Sequence, residues 1–305
     1  MYDMIIIGSG PAGLAAAIYG QRARLSVLVI EKQPMSGGQI INTYDVDNYP
    51  GLPGIGGFDL ASKFRAHADA LGAEFVTGEV LSVELAGDEK RIVTDDAAYT
   101  AKTVVIATGA VHRKLSVPGE DTFCGMGVSY CATCDGAFFR GKEVAVVGGG
   151  DVALEDALFL ARTCSHVYVI HRRDEFRGAK VLQEKVLAAE NITVRWDSVV
   201  EEICGNEQVE ALAVKNKKTG AGEKLPVQGV FVAVGIQPNS ELFKGILEMD
   251  ETGYILADED GVTNLPGVFV AGDVRTKQLR QVITAAADGA NAVTSVERYL
   301  YQKQS

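Results

Sequence analysis

The sequence predicts an α/β protein built from two similar units, on three observations. Short apolar, β-branched runs end directly in glycine-rich turns. Each turn leads into a helical, alanine-containing stretch. The whole strand–turn–helix unit then recurs, its first glycine at Gly8 in one copy and Gly148 in the other. A chain of 305 residues accommodates two domains, each large enough to close its own apolar core.

The first unit opens with Met4-Ile5-Ile6-Ile7, which reads as a buried parallel strand. Gly8-Ser9-Gly10-Pro11-Ala12-Gly13 follows, then the helical Leu14 to Ile18. In this pattern the first glycine permits the tight turn and the second lets a pyrophosphate approach the backbone. The third lets helix pack on strand, and the helix N-terminus offers free N–H groups to the anion. A second strand, Ser26 to Ile30, ends at Glu31, 23 positions after Gly8, where a ribose hydroxyl finds its acceptor.

The second unit repeats the design. Glu143 to Val147 is the strand, Gly148-Gly149-Gly150-Asp151-Val152-Ala153 the turn, and about Val152 to Thr163 the helix. The next strand, Val167 to Ile170, ends in His171-Arg172-Arg173, again 23 positions on, with Arg177 close behind. A carboxylate there would repel a 2′-phosphate, whereas guanidinium forks pair with it. The first unit therefore suits FAD or NAD, and the second suits NADPH.

The remaining segments fit around these units. Val104 to Gly109 and Gly229 to Gly235 are strands ending in glycine turns. Val80 to Val93 and Arg195 to Lys224 alternate apolar and polar residues and read as small antiparallel layers. Leu265 to Asp273 is a strand delivering Asp273 at its carboxyl end, where ligands sit in open α/β sheets. A helix from about Gln281 to Tyr299 closes the chain.

The formal net charge of −11 argues against nucleic acid as a partner. No apolar run is long enough to span a bilayer, so no membrane association is expected. Met1-Tyr2-Asp3 carries no positive region and the apolar stretch breaks at Gly8, which leads to a cytoplasmic expectation. Structural disulfides are rare in that compartment, so Cys131-Ala132-Thr133-Cys134 calls for a metal or a redox explanation. Zinc needs a second ligand pair of similar spacing, and Cys124, Cys164, Cys204 and the four histidines do not supply one. No metal is expected. The redox reading needs a helix start that stabilises a thiolate, and an electron source, which two dinucleotide sites provide. Asp135 is a candidate proton donor or acceptor and equally a first-turn acid. The isolated cysteines read as small buried apolar residues.

With these motifs in order, the chain resembles the low-molecular-weight thioredoxin reductases from end to end. The markers are Gly8 to Gly13, Gly37-Gly38-Gln39, Cys131 to Gly136, Gly148 to Ala153, His171-Arg172-Arg173 with Arg177, and Ala271-Gly272-Asp273 with Arg280-Gln281. The resemblance implies two Rossmann-like three-layer (ββα) dinucleotide-binding domains. An NADPH domain, about 113–241, is inserted into an FAD domain made of 1–112 and 242–305. It also implies a homodimer. FAD is then held by Gly8, Gly10, Pro11, Ala12, Gly13, Glu31, Gly37, Gly38, Gln39, Asn48, Gly109, Gly272, Asp273, Arg280, Gln281 and Val282. NADPH is held by Gly148, Gly150, Asp151, Ala153, His171, Arg172, Arg173 and Arg177.

The same resemblance implies that NADPH reduces the flavin and the flavin opens a Cys131–Cys134 disulfide, Cys134 facing the flavin. Cys131 is the interchange thiol for thioredoxin or a thioredoxin-like protein. A pair carried by one domain that must serve a flavin in the other and a protein outside requires a motion, with hinges near His112–Ser116 and Ser240–Lys244. Met126 stands where many relatives carry a basic residue, and Ala137 where some carry an aromatic, both on the expected docking face. Rival readings are a dithiol reductase fed by ferredoxin, a dithiol oxidase acting on a small molecule, and a non-catalytic flavin redox sensor. Two complete dinucleotide units fit none of the three as well.

Overall fold

The computed structural model describes residues 1–43, 46 and 48–304. The chain divides into two compact units, 1–111 with 237–305 and 112–236, so the second is inserted into the first. Among the described residues no helix is long and apolar enough to cross a membrane.

The first unit is organised by strand β1 (Tyr2–Ile7), whose alternate side chains enter two different cores. β1 pairs in parallel with β2 (Val27–Glu31), which pairs with β3 (Glu74–Thr77). On its other side β1 pairs with β6 (Ala98–Ile106), followed by the hairpin β5 (Lys90–Thr94) and β4 (Val80–Glu84). The short strand Val268–Val270 adds to the far end of β6.

Met4 and Ile6 face helices α1 (Pro11–Arg22) and the C-terminal Val282–Gln304, through Leu14, Ala16, Ala292, Val293 and Val296. Ile5 and Ile7 face the opposite way, onto Leu85 and Ile92 of the hairpin region and Phe243, Leu247 and Ile255. The period of two in a strand thus separates a helical layer from an antiparallel one across a single parallel sheet. Helix α2 (Gly57–Ala70) completes the helical side through Ala68, with Phe64 packed against the cluster.

The second unit repeats this design around β8 (Glu143–Gly148), flanked in parallel by β9 (His166–Ile170) and β14 (Gly229–Ala233). β10 (Ile192–Arg195) extends the sheet beyond β9, and β7 (Val128–Ser129) extends it beyond β14. Val144 and Val146 face helices α3 (Ala132–Asp135) and α4 (Asp151–Ala161) through Ala132, Ala153, Leu154, Ala157 and Leu160. Ala145 and Val147 face an antiparallel sheet of β11 (Ser198–Gly205), β12 (Val209–Asn216) and β13 (Gly222–Pro226). Helix α5 (Lys180–Ala188) contributes Val186 to the helical core.

Three sequence expectations shift. Arg195 ends a parallel strand, and the antiparallel layer begins only at Ser198, because Ile192 to Arg195 pairs with Val167 to Ile170. The strand before Asp273 shrinks to Val268–Val270, since Pro266 has no N–H to give a ladder. The final helix runs on to Gln304.

Helix α1 and the C-terminal helix approach so closely that glycine is needed between them. A Cβ on Gly289 would overlap the Ala12 carbonyl oxygen and stand 2.9 Å from the Ala16 nitrogen. Backbone cannot give way as a flexible side chain can. Gly289→Ala is expected to lower stability by about 1–3 kcal/mol, the usual cost of overpacking, read by chemical denaturation.

Candidate active site

In the first unit, glycine-rich segments converge on the carboxyl end of β1. Gly8 has φ 102° and Gly10 caps α1 without any side-chain hydrogen bond, with Pro11 as the first helical residue. The first N–H groups of α1 are therefore free for an anion. Gly38 stands opposite Gly10, where a Cβ would lie 3.3 Å from the Gly10 Cα. At the end of β2, Glu31 Oε2 accepts from both the backbone N–H and the hydroxyl of buried Ser9, each at 2.7 Å. Oε1 accepts from the Gln33 N–H at 2.9 Å. These bonds fix the carboxylate at the turn and leave one lone pair of Oε1 open.

Gly37 and Gly109 also take positive φ, and the Gln39 amide donates to the Ala110 carbonyl. Asn48 Nδ2 donates to Gln281 Oε1 at 2.9 Å, joining two sequence-distant candidates just before Val282 opens the last helix. Gly272, with φ 80°, packs against Ala12 so closely that a Cβ would stand 2.8 Å from the Ala12 methyl.

Asp273 and Arg280 make the strongest case for a ligand here. Among the described residues Asp273 Oδ1 is buried with no hydrogen-bond partner, and its nearest cation, Lys277 Nζ, is 3.9 Å away. Burial pushes the Asp273 carboxyl above the usual carboxylate range, against the pull of Lys277 and Arg280. Arg280 Nε is likewise buried and unsatisfied, while its guanidinium lies 4.1 Å from the centre of the Tyr254 ring. Buried polar atoms left unpaired cost stability, so they mark where a polar molecule belongs. Bare helix N–H groups, a ribose-reaching acid and two orphaned polar atoms fit a flavin dinucleotide.

One residue essential to this arrangement has no sequence signature. Asp288, on the last helix and 6% exposed, accepts from the Gly272 N–H at 3.0 Å. It also accepts from Arg275 Nε and Nη2 at 2.9 and 2.7 Å and from Lys277 Nζ at 2.9 Å. Asp288 therefore holds the Gly272-Asp273 turn and pairs with two buried cations. An acid in the middle of a helix reads as a solvated residue until the facing loop is known.

In the second unit, Gly150 caps α4 without side-chain help, and Asp151 Oδ1 accepts from the Ala179 N–H at 2.7 Å. A Cβ on Gly148 would lie 2.7 Å from the Ala153 methyl, so the turn and helix start are in close contact. His171 is buried beneath this turn. Its Nδ1 lies 3.1 Å from the Gly148 carbonyl and its Nε2 2.9 Å from the Glu175 carbonyl. Burial lowers its pKa below the ordinary histidine value, while the two carbonyls oppose that effect. Arg172, Arg173 and Arg177 are exposed, and the backbone N–H of Arg177 donates to the Gly149 carbonyl at 2.8 Å. Among the described residues none of these three guanidinium groups has an acidic partner within 4.0 Å.

The cysteines at 131 and 134 form a disulfide. Cys131 caps the short helix α3, and its carbonyl accepts from the Cys134 and Asp135 N–H groups at 3.2 and 3.1 Å. Ser129, buried on β7, ties the motif together. Its hydroxyl donates to Asp135 Oδ2 at 2.6 Å and accepts from the Cys131 N–H at 3.0 Å. Cys131 Sγ lies 3.4 Å from the Thr133 hydroxyl. Ser129 and Thr133 are absent from the sequence candidates. Their proximity to Cys131 in the chain is the only signal that could have raised them. Of the remaining cysteines Cys164 is buried and Cys204 half-buried, but Cys124 is exposed. It lies in the glycine-flanked turn between Phe123 and Met126, which packs through Phe123 and leaves its neighbour outside.

Comparison with known proteins places these features in a family. The model of the pyridine nucleotide-disulphide oxidoreductases matches residues 2–289. The chain is similar to a thioredoxin reductase of Peptoclostridium acidaminophilum, 47% identical over 98% of this chain and 97% of that one. It is also 47% identical to a thioredoxin reductase of Streptomyces clavuligerus, over 98% and 94% of the two chains. Among solved structures, the thioredoxin reductase of Streptococcus pyogenes superposes with a TM-score of 0.95 at 47% identity, covering 99% of each chain.

Removing Asp288 would leave Arg275 buried without its acidic partner and Lys277 with Asp273 alone, 3.9 Å away. Asp288→Ala is expected to destabilise the protein by roughly 3–5 kcal/mol in chemical denaturation, the usual cost of breaking a buried ion pair. Lys303 Nζ lies 2.7 Å from Asp88 Oδ1 with both side chains exposed, and Asp88→Ala is expected to leave the denaturation midpoint essentially unchanged.

Proposed function

The chain belongs to the pyridine nucleotide-disulphide oxidoreductase family, and within that family we propose that it is a thioredoxin-disulfide reductase using FAD and NADPH. The observation that carries this reading is the Cys131–Cys134 disulfide at a helix start, clamped through Ser129 to Asp135. The same unit carries a glycine turn followed by three exposed arginines, Arg172, Arg173 and Arg177.

In this proposal the first unit holds FAD on the α1 N-terminus, with Glu31 toward a ribose and Asp273, Arg280 and Gln281 toward the polar parts of the flavin. The second unit holds NADPH on the α4 N-terminus, with Arg172, Arg173 and Arg177 on the 2′-phosphate. The chemistry a flavin supplies there is the exchange of a hydride from the nicotinamide for the two electrons that open a disulfide.

The remaining steps belong to the chain's own residues. Two electrons break the Cys131–Cys134 bond, and with two protons the sulfurs become thiols. Asp135 holds and returns one of those protons, oriented by the Ser129 hydroxyl. Cys131, at the helix N-terminus and beside the Thr133 hydroxyl, is favoured as a thiolate. Cys131 Sγ bonds to one sulfur of the thioredoxin disulfide and releases the other. Cys134 Sγ then attacks Cys131 Sγ, which re-forms the internal disulfide and frees the second thiol. A homodimer and a cytoplasmic location belong to the same proposal. The free thiols at Cys124, Cys164 and Cys204 support a reducing compartment.

Anaerobic titration of the holoenzyme tests the reading. NADPH is expected to bleach the flavin well ahead of NADH, and added thioredoxin to be reduced in turn. A flavin that ignores NADPH would instead support ferredoxin as the electron source. Cys131→Ser is expected to abolish thioredoxin reduction while the flavin still accepts a hydride from NADPH. Asp135→Asn is expected to slow thioredoxin reduction by about 10²-fold or more, the range for loss of a proton-transfer group, and to remove one limb of the pH–rate profile.

A further inference from the structure

The arginine loop poses a question of partner choice. Arg172 and Arg173 are followed at once by Asp174 and Glu175, and Asp197 is bonded to the same loop. Any of these carboxylates could claim a guanidinium, or repel an incoming phosphate. None does so within 4.0 Å among the described residues. Instead one ammonium, Lys218 Nζ, lies 2.8 Å from Asp174 Oδ2 and 3.1 Å from Asp197 Oδ1.

The fold delivers Lys218 there by a chain of backbone bonds. The Asp197 N–H donates to the Arg173 carbonyl at 3.0 Å, with Asp197 in the left-handed region at φ 53°. The Lys217 N–H in turn donates to the Asp197 carbonyl at 2.7 Å. Asn216 Oδ1 then accepts from the N–H groups of Lys218 and Thr219 at 3.0 and 2.9 Å, which shapes the turn between β12 and β13. The turn of a distant hairpin is thus stitched to the loop that carries the arginines. The Lys218 contact holds the Asp174 carboxyl below the usual carboxylate range, so it stays charged and stays with the lysine.

We infer that Lys218 is a specificity-determining residue for the second unit: by occupying Asp174 and Asp197 it keeps the neighbouring arginines available to a 2′-phosphate. This rests on the reading of that unit as the NADPH site. Lys218 need not touch the phosphate. Its effect is on which charges the phosphate meets, and a doubly charged group feels an uncompensated carboxylate strongly at an exposed site only over about a Debye length. The effect is therefore confined to ligands carrying the 2′-phosphate and fades with added salt. Lys218 is 61% exposed, and exposed ion pairs contribute little to stability, so its loss leaves the fold intact.

Calorimetric titration of the oxidised holoenzyme with NADP⁺ and NAD⁺ at low salt tests this. Lys218→Gln is expected to weaken NADP⁺ by about 3- to 10-fold and NAD⁺ by less than about 2-fold, with the difference shrinking in high salt. Lys215→Gln removes the same charge from the same hairpin at the Glu201 pair and is expected to leave both affinities in place. Adding Asp174→Asn to Lys218→Gln is expected to recover most of the NADP⁺ affinity. Equal weakening of both nucleotides, no change in NADP⁺, or no recovery in the double variant would overturn the role of Lys218. A wild-type protein that binds NADP⁺ no tighter than NAD⁺ would overturn the NADPH reading itself, and this inference with it.

Discussion

Each unit depends on a carbonyl oxygen that no side chain can approach. In the first unit it is that of Ala107 at the end of β6, in the second that of Ala233 at the end of β14. A Cβ on Gly8 would stand 2.5 Å from the Ala107 oxygen, and a Cβ on Gly148 would overlap the Ala233 oxygen. The glycine at the end of the central strand is thus required by the neighbouring strand before any ligand is considered. Once the strands close to this distance, the chain must turn sharply, and the following helix begins directly above the sheet. Its first N–H groups are then left without partners, which is the property an anion uses. The ligand site is a consequence of how tightly the strand ends are packed.

That packing leaves charge to be managed below the surface. In the first unit the turn after Val268–Val270 brings Asp273, Arg275, Lys277 and Arg280 under the last helix. Desolvated charges are costly unless paired and hydrogen-bonded. Asp288 satisfies Arg275 and Lys277 together with the Gly272 N–H, and so settles most of the cluster internally. Asp273 Oδ1 and Arg280 Nε are left over. The protein has satisfied the charges that hold the loop and left two polar atoms for the proposed flavin site.

Much of this was legible in the sequence because it is local. The strand–turn–helix units are written in consecutive residues, and the unbroken apolar run Met4-Ile5-Ile6-Ile7 already reads as a buried strand, which the structure covers on both faces. Cys131 and Cys134 are close in the chain, so their chemistry needs no tertiary knowledge. What was not legible depends on residues brought together from afar. Asp288 is read as a surface acid until Arg275 and Lys277 are seen against it. Ser129 is an ordinary strand residue until its hydroxyl is found between Cys131 and Asp135. Lys218 lies 44 positions from Asp174 and meets it only because a hairpin turn is bonded to Asp197. The expectation of a buried Cys124 fails because the turn buries Phe123 and leaves the next residue facing out.

The two units also show how one frame carries opposite chemistry. In each, the residue after the first glycine meets the residue 23 positions beyond that glycine. In the first unit these are Ser9 and Glu31, joined by two hydrogen bonds that hold a carboxylate at the end of β2. In the second they are Gly149 and His171, and the imidazole fills the space that a Cβ on Gly149 would need. Serine is required where the partner is an acid that must be oriented. Glycine is required where the partner is a ring packed against the turn. With His171 committed to the turn, the side chains left exposed at that end of the sheet are those that follow it, Arg172, Arg173 and Arg177, which carry the 2′-phosphate in the proposed NADPH site. The change from an acid to arginines is therefore not a single exchange at one position. It is a shift of the contact along the chain, made possible by burying the residue that stands where the acid would be.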